Sequence, residues 1–283
     1  MESSVHSFLL TVKRIYDYLY DTSHAIDDFI TTGANNLNEM PDLSGEADEF
    51  DYDDQNTDFF NVGKKVKIDL RDMDYISWKR EMDEDIDNLQ LLILMIEDIT
   101  PEYDFKLNEL IRIIREKAAA PINPGNKKIL IFTAFSDTAE YLYENISDMA
   151  LKELGLHTAL VTGSVDGKTT IPKFKPDMNH VLACFSPKSK DRDVLYPKDK
   201  TDIDILIATD CISEGQNLQD CDYCVNYDIH WNPVRIIQRF GRIDRIGSKN
   251  AVIQLVNFWP DLDLDEYINL KSRVETRMRI SVM

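Results

Sequence analysis

The sequence predicts an α/β fold, a parallel sheet flanked by helices, with a helical segment in front of it. Three observations carry that expectation. Short, mainly apolar runs at residues 129–132, 158–161, 203–208 and 223–227 are bounded by polar residues. That is the pattern of strands buried on both faces of a parallel sheet. Stretches with apolar residues at helical spacing lie between and before these runs. Hydroxyl, carboxylate and amide side chains follow the runs directly, where open α/β sheets gather their functional groups.

Taken in order, residues 2–30 place Val5, Phe8, Leu9, Val12, Ile15, Tyr16 and Leu19 at the spacing of an amphipathic helix. Residues 39–60 hold nine acidic residues, no Lys or Arg, and the breakers Pro41 and Gly45. Such composition reads as a solvated, mobile insertion. Helical spacing returns at residues 85–99, with Ile86, Leu89, Leu92, Ile93 and Ile96, and Pro101 closes it. Asp104 is placed to cap a further helix bearing Leu107, Leu110, Ile111 and Ile114. Pro121, Pro124 and Gly125 mark a loop, which divides the chain into a helical segment, 1–120, and an α/β part, 121–283.

The α/β part begins with the strand at 129–132. Thr133, Ser136 and Asp137 then lead into a helix over 139–150. The strand at 158–161 runs into the loop Thr162, Gly163, Ser164. Residues 181–202 carry Lys188, Lys190, Arg192, Lys198 and Lys200, which read either as a solvated basic loop in an acidic chain or as a nucleic-acid contact. The strand at 203–208 opens onto Thr209, Asp210, Ser213, Glu214, Gly215 and Asn217. After the strand at 223–227, Pro233 suits the first turn of a helix that is expected to run to Gly247. On it Arg242 and Arg245, three apart, would share a face. Two guanidinium forks side by side are suited to polyphosphate oxygens. A last strand is expected over 252–258, then a terminal helix capped by Asp263 or Asp265 and running through Arg279.

Composition narrows the function. The chain has 283 residues, 43% of them hydrophobic, and a formal net charge of −19. That acidity is wrong for a protein that coats nucleic acid by its overall field. Any such contact must run along a narrow local track. No apolar run is long enough for a membrane helix, and the cytoplasm is the simplest compartment. Cys221 and Cys224 form an isolated CxxC, without the second pair or histidines of a zinc site, and read as small buried thiols. Gly163 to Thr169, GSVDGKT, imitates a phosphate-binding P-loop but has three residues between its glycines instead of four. No other stretch supplies one, so the chain cannot assemble a complete nucleotide site.

Against that background, the TDCISEGQNLQ loop from Thr209 and the QRFGRIDRIG stretch from Gln238 resemble motifs V and VI of superfamily 2 helicases. The intervening NYDIHWNP is most similar to the RapA-like and Swi/Snf-type branch. KKILIFTAFSDTAEYL resembles motif IV, and the opening ESSVHSF resembles the start of the second motor lobe of RapA-like proteins. On that resemblance Met1 is an internal position of a longer chain, directly after a first lobe.

The resemblance implies a RecA-like C-terminal lobe of an ATP-dependent helicase or translocase. It implies catalytic arginines at Arg242 and Arg245, with Arg245 nearest the γ-phosphate. Glu214, Gly215 and Gln238 would face ATP. Ser136, Thr162, Gly163, Thr209, Ser213 and Asn217 would meet nucleic acid, DNA in preference to RNA. ATP and Mg2+ would be held mainly by the first lobe, without which no turnover is expected. The alternative is a non-catalytic module that docks a partner protein through its acidic segment and its lobe surface.

Overall fold

The computed structural model describes residues 3–32, 70, 73–163, 167–212, 216–229, 233–245 and 247–259. The acidic segment 39–60, the loop residues Ser213, Glu214 and Gly215, and the expected terminal helix lie outside them. The chain forms two compact units, divided between Tyr103 and Asp104.

The first unit is a helical hairpin. Helix α1 (Val5–Thr32) packs along α2 (Tyr75–Glu97), with Ile26, Phe29, Leu70 and Met82 buried between them. Polar contacts fix the pair in register. Ser23 donates to Asp83 at 2.6 Å, and Lys79 reaches both Asp27 (3.2 Å) and Asp83 (2.9 Å). Helix α2 starts ten residues before the apolar spacing of 85–99 announces it. Asp74 accepts the Ser77 N–H at 3.1 Å and caps the start, and Trp78 and Met82 extend the packed face backwards.

The second unit begins one helix earlier than the loop at 118–126 led us to expect. Helix α3 (Phe105–Ala119) buries Leu107, Leu110, Ile113 and Ile114 in the same core as the sheet residues Ile129 and Ile131. Its amphipathic spacing, read locally, does not say against what its apolar face packs. Asp104 holds its start: one carboxylate oxygen accepts the Leu107 N–H at 3.0 Å, the other the Tyr141 hydroxyl at 3.0 Å. Asp104→Ala therefore removes a cap and orphans a buried hydroxyl. A loss of about 2 kcal/mol is expected, read as a lowered urea midpoint with unchanged slope.

The sheet has six strands in the order β3-β2-β4-β1-β5-β6, made of β1 (Ile129–Phe132), β2 (Thr158–Val161), β3 (Lys168–Thr169), β4 (Ile205–Ala208), β5 (Tyr223–Asn226) and β6 (Gln254–Asn257). All pairings are parallel except the short edge pairing of β3 with β2. The inner strands are apolar at nearly every position because alternate side chains enter opposite cores. Ile129, Ile131, Leu160, Ile205, Ile207 and Val225 face α3 and helix α4 (Ser136–Leu154). Leu130, Phe132, Ala159, Val161, Leu206, Ala208 and Cys224 face helix α5 (Met178–Phe185).

Helix α5 falls where a basic loop was expected to begin. Val181 to Phe185 are all buried, so no polar alternation signals a helix, and only the Asp177 cap on the His180 N–H marks its start. The four-residue α6 (Arg192–Leu195) follows, and α7 (Pro233–Phe240) closes the described helices.

A buried ion pair joins α3 to the sheet. Lys117 of α3 donates to Asp222, just before β5, at 2.6 Å, and Asn123 donates to the other oxygen of that carboxylate at 2.7 Å. The Lys117 and Asp222 side chains are 1% and 0% exposed.

Candidate functional site

The carboxyl ends of β1, β4 and β5 lie side by side, and the ladder continues one residue past each strand. Thr133 donates its N–H to Ala208, Thr209 to Val161, and Tyr227 to Phe132, at 3.1, 3.3 and 2.8 Å. The loops that leave these ends are thus held together by backbone before any side chain acts.

Two buried side chains fix them further. Arg239, 2% exposed on α7, donates to both carboxylate oxygens of Asp210, at 2.7 and 2.6 Å. It also donates to the Asp228 carbonyl at 3.0 Å and the Asn226 amide oxygen at 3.3 Å, and lies over the Phe132 ring. A planar guanidinium offers five donors, which lets one residue tie α7, β5 and the loop after β4 into one body. Asp228 does the same on the other side. Its carboxylate accepts from Lys106 of α3 at 3.1 Å, from the Thr133 hydroxyl, and from the Ala134 N–H at 2.9 Å. Neither residue drew a role from the sequence. Both stand within the recognised motif strings, and only the fold shows that they are buried hubs.

Around Arg239 opens a pocket lined by Phe132, Asp210, Ile212, Arg235, Gln238 and Arg242 as well. Gln238 and Arg242 come together here as expected, and Arg235 joins them. Arg245 does not. The helix stops at Phe240, and residues 241–243 continue as turns, with the Arg242 N–H on the Arg239 carbonyl at 3.1 Å. The expected shared helical face of Arg242 and Arg245 is therefore corrected. Arg242 is half-buried in the pocket wall, while Arg245 is exposed and donates Nε to the Gly241 carbonyl at 3.2 Å. An added Cβ at Gly241 would stand 3.3 Å from the Ile237 carbonyl, a tight approach.

The residues expected to meet nucleic acid are spread over several strand ends. Ser136 is the first residue of α4, and Thr162 and Gly163 leave β2, half-buried and exposed respectively. Asn217, half-buried after β4, accepts the Gln219 N–H at 3.4 Å. Thr209 differs: it is 0% exposed, so its side chain offers no face to a phosphate in this structure. Ser213, Glu214 and Gly215 lie outside the described residues.

The basic loop is only partly a basic surface. Arg192 is buried and donates to the Thr201 carbonyl (2.8 Å) and Asp202 (2.5 Å). Lys200 pairs with Asp193 at 2.8 Å, and Lys190 donates to Gln216. The P-loop imitation fails in structure as well as in count. Lys168 lies in a strand where a P-loop has a helix, and its ammonium pairs with Glu140 at 2.6 Å. Cys221 and Cys224 are buried free thiols, and burial pushes the Cys221 thiol up to about 12.

This sheet, with an arginine-bearing helix and loops gathered at its carboxyl edge, is an α/β lobe whose polar and cationic side chains collect on one side. Residues 106–247, half of the chain, match the helicase conserved C-terminal domain, and the chain belongs to that family. It is 52% identical over 50 residues to the uncharacterized ATP-dependent helicase YqhH of Bacillus subtilis (strain 168), covering 18% of this chain and 9% of that protein. It is 24% identical over 154 residues to the DEAD-box ATP-dependent RNA helicase RhpA of Helicobacter pylori (strain ATCC 700392 / 26695), covering 54% of this chain and 25% of that one. The chain thus spans a quarter or less of these relatives. Among solved structures, the C-terminal part of the Fun30 ATPase domain aligns at 20% identity and a TM-score of 0.38, covering 68% of this chain and 57% of that one.

Proposed function

We propose that this chain acts as the second, C-terminal motor lobe of an ATP-dependent helicase or translocase of superfamily 2, in its RapA-like and Swi/Snf-type branch. It works as part of a longer cytoplasmic protein on nucleic acid, DNA in preference to RNA. The observation that carries the reading is the pocket in which Gln238 and Arg242 meet the loop after β4, with Arg239 locking the two together. Family membership and the matched relatives, all helicases by name, support it.

The donor set fits a polyphosphate edge. Arg235, Gln238 and Arg242 are among the residues that line the pocket, and charge-assisted donors such as guanidinium groups are the strong partners of phosphate oxygens. The pocket's carboxylate, Asp210, is engaged by both donors of Arg239, so we assign Mg2+ and most phosphate contacts to a first lobe. ATP supplies the phosphoryl group whose transfer drives the motor. This lobe's residues orient and neutralise. Arg242 is placed to meet charge that develops on the γ-phosphate across a cleft, and Arg245, exposed one turn further on, serves as an outer contact. Glu214 and Gly215 complete the nucleotide side, and Ser136, Thr162, Gly163, Ser213 and Asn217 hold backbone phosphates without reading bases. Such contacts need no large positive field, which reconciles the function with a charge of −19.

The direct test is phosphate release from ATP with and without duplex DNA, on this chain and on a protein extended upstream of Met1. Only the extended protein is expected to turn over. Steady hydrolysis by the 283 residues alone, lost on Arg242→Ala, would sink the two-lobe reading.

A further inference from the structure

Away from that pocket, three chemically distinct side chains converge at the α5 side of the sheet. His180 and Cys184 are four apart on α5 and so share a face. Asp199, in the segment after α6, reaches back to both. Its Oδ2 lies 2.8 Å from His180 Nε2 and accepts from Cys184 Sγ at 3.7 Å. The three donor atoms all lie within 4.8 Å of one another.

We propose that His180, Cys184 and Asp199 form a zinc site with three protein ligands and a fourth position left for water. Tetrahedral bonds to sulfur, nitrogen and oxygen at ordinary zinc lengths put the ligand atoms about 3.4–3.6 Å apart. The sulfur–oxygen separation already fits, and the nitrogen–oxygen separation needs to open by about half an ångström. The donor set decides the metal class. One thiol, one imidazole and one carboxylate suit a borderline ion, and supply too few oxygens for calcium or magnesium.

The ligands are held before any ion arrives. Asp199 Oδ1 accepts the Thr201 N–H at 2.9 Å, which turns Oδ2 towards the other two. The His180 ring is stacked between Phe174 and Tyr196, with centroids 4.3 and 4.1 Å away. Supports of this kind orient first ligands in known sites. Arg192 is the nearby cation, and its charge is met by Asp202. On binding, the Cys184 thiol proton leaves to solvent and the sulfur–metal bond takes its place. The ion would tie α5 to the segment that carries Lys190, Lys198 and Lys200, so its effect is on the order of that segment, independent of ATP chemistry.

The test uses the full chain, stripped by a chelator and titrated with Co2+. One equivalent should raise a thiolate-to-cobalt charge-transfer band that Zn2+ then abolishes, and the band should be lost in Cys184→Ser but kept in Cys221→Ser. Because Cys184 is fully buried, a second variant guards against misfolding. His180→Gln, at a half-buried position, should keep its far-UV dichroism yet weaken Zn2+ binding by at least about 100-fold. It should also lose the rise in melting midpoint that Zn2+ gives the parent. A missing band, a band that survives Cys184→Ser, or equal zinc stabilisation of parent and His180→Gln would overturn the site and leave an ordinary His–Asp pair.

Discussion

In a protein that joins this chain to its first motor lobe, Arg242→Ala is expected to lower DNA-stimulated ATP turnover by about 10³-fold or more. That corresponds to about 4 kcal/mol of lost transition-state stabilisation. The size follows from position. Arg242 is half-buried in the pocket wall beside Gln238, whereas Arg245 sits exposed outside it. A charge delivered into a water-poor cleft is worth far more than one on the surface. Arg245→Ala should therefore cost less than Arg242→Ala, the reverse of the order that the family resemblance implies. Two controls separate chemistry from folding. Arg242→Ala should leave the melting midpoint almost unchanged, since the buried clamp is Arg239. Arg242→Lys should recover only part of the rate, because an ammonium lacks the planar fork. Turnover within tenfold of the parent in Arg242→Ala would remove this residue from the role.

What the sequence made legible here follows from how locally each feature is encoded. The parallel strands of the inner sheet were readable because burial on both faces forces apolar residues at consecutive positions, and the Asp104 cap because capping is decided within four residues. Helix α5 was not readable, since VLACF is apolar throughout and carries neither period. The end of α7 at Phe240 was also hidden. Nothing in QRFGRIDRIG forbids a helix, and the turn at residues 241–243 is set by the loop after β4, whose Leu218 N–H donates to the Arg242 carbonyl at 2.9 Å. Motif recognition placed Gln238 and Arg242 together and set Arg245 nearest the γ-phosphate, a ranking that took no account of the helix ending at Phe240. It gave no role to Arg239 or Asp228, whose importance lies in contacts made by distant segments.

The largest stability effect is expected at Lys117. Its ammonium and the Asp222 carboxylate are both withdrawn from water, so each depends on the other for its charge. Lys117→Met keeps the stem's length and packing but leaves Asp222 with Asn123 as its remaining side-chain partner. Breaking a buried pair from one side costs about 3–5 kcal/mol, because the orphaned charge keeps its desolvation penalty. The expected result is a sharply lower urea midpoint. Restoring balance should restore stability. In the double variant Lys117→Met, Asp222→Asn the charge is gone from both sides, the Asn123 contact persists, and most of the loss should return. If the double variant is as unstable as the single one, the pair matters for packing and not for charge. If Lys117→Met itself costs under about 1 kcal/mol, as an exposed pair would, water reaches Asp222 and α3 is not sealed onto the sheet. Since α3 also carries Lys106 to Asp228, a loosened α3 should reach the candidate site. Lys117→Met in the two-lobe protein is expected to weaken ATP turnover at temperatures well below its midpoint, an effect the charge-balanced double variant should not show.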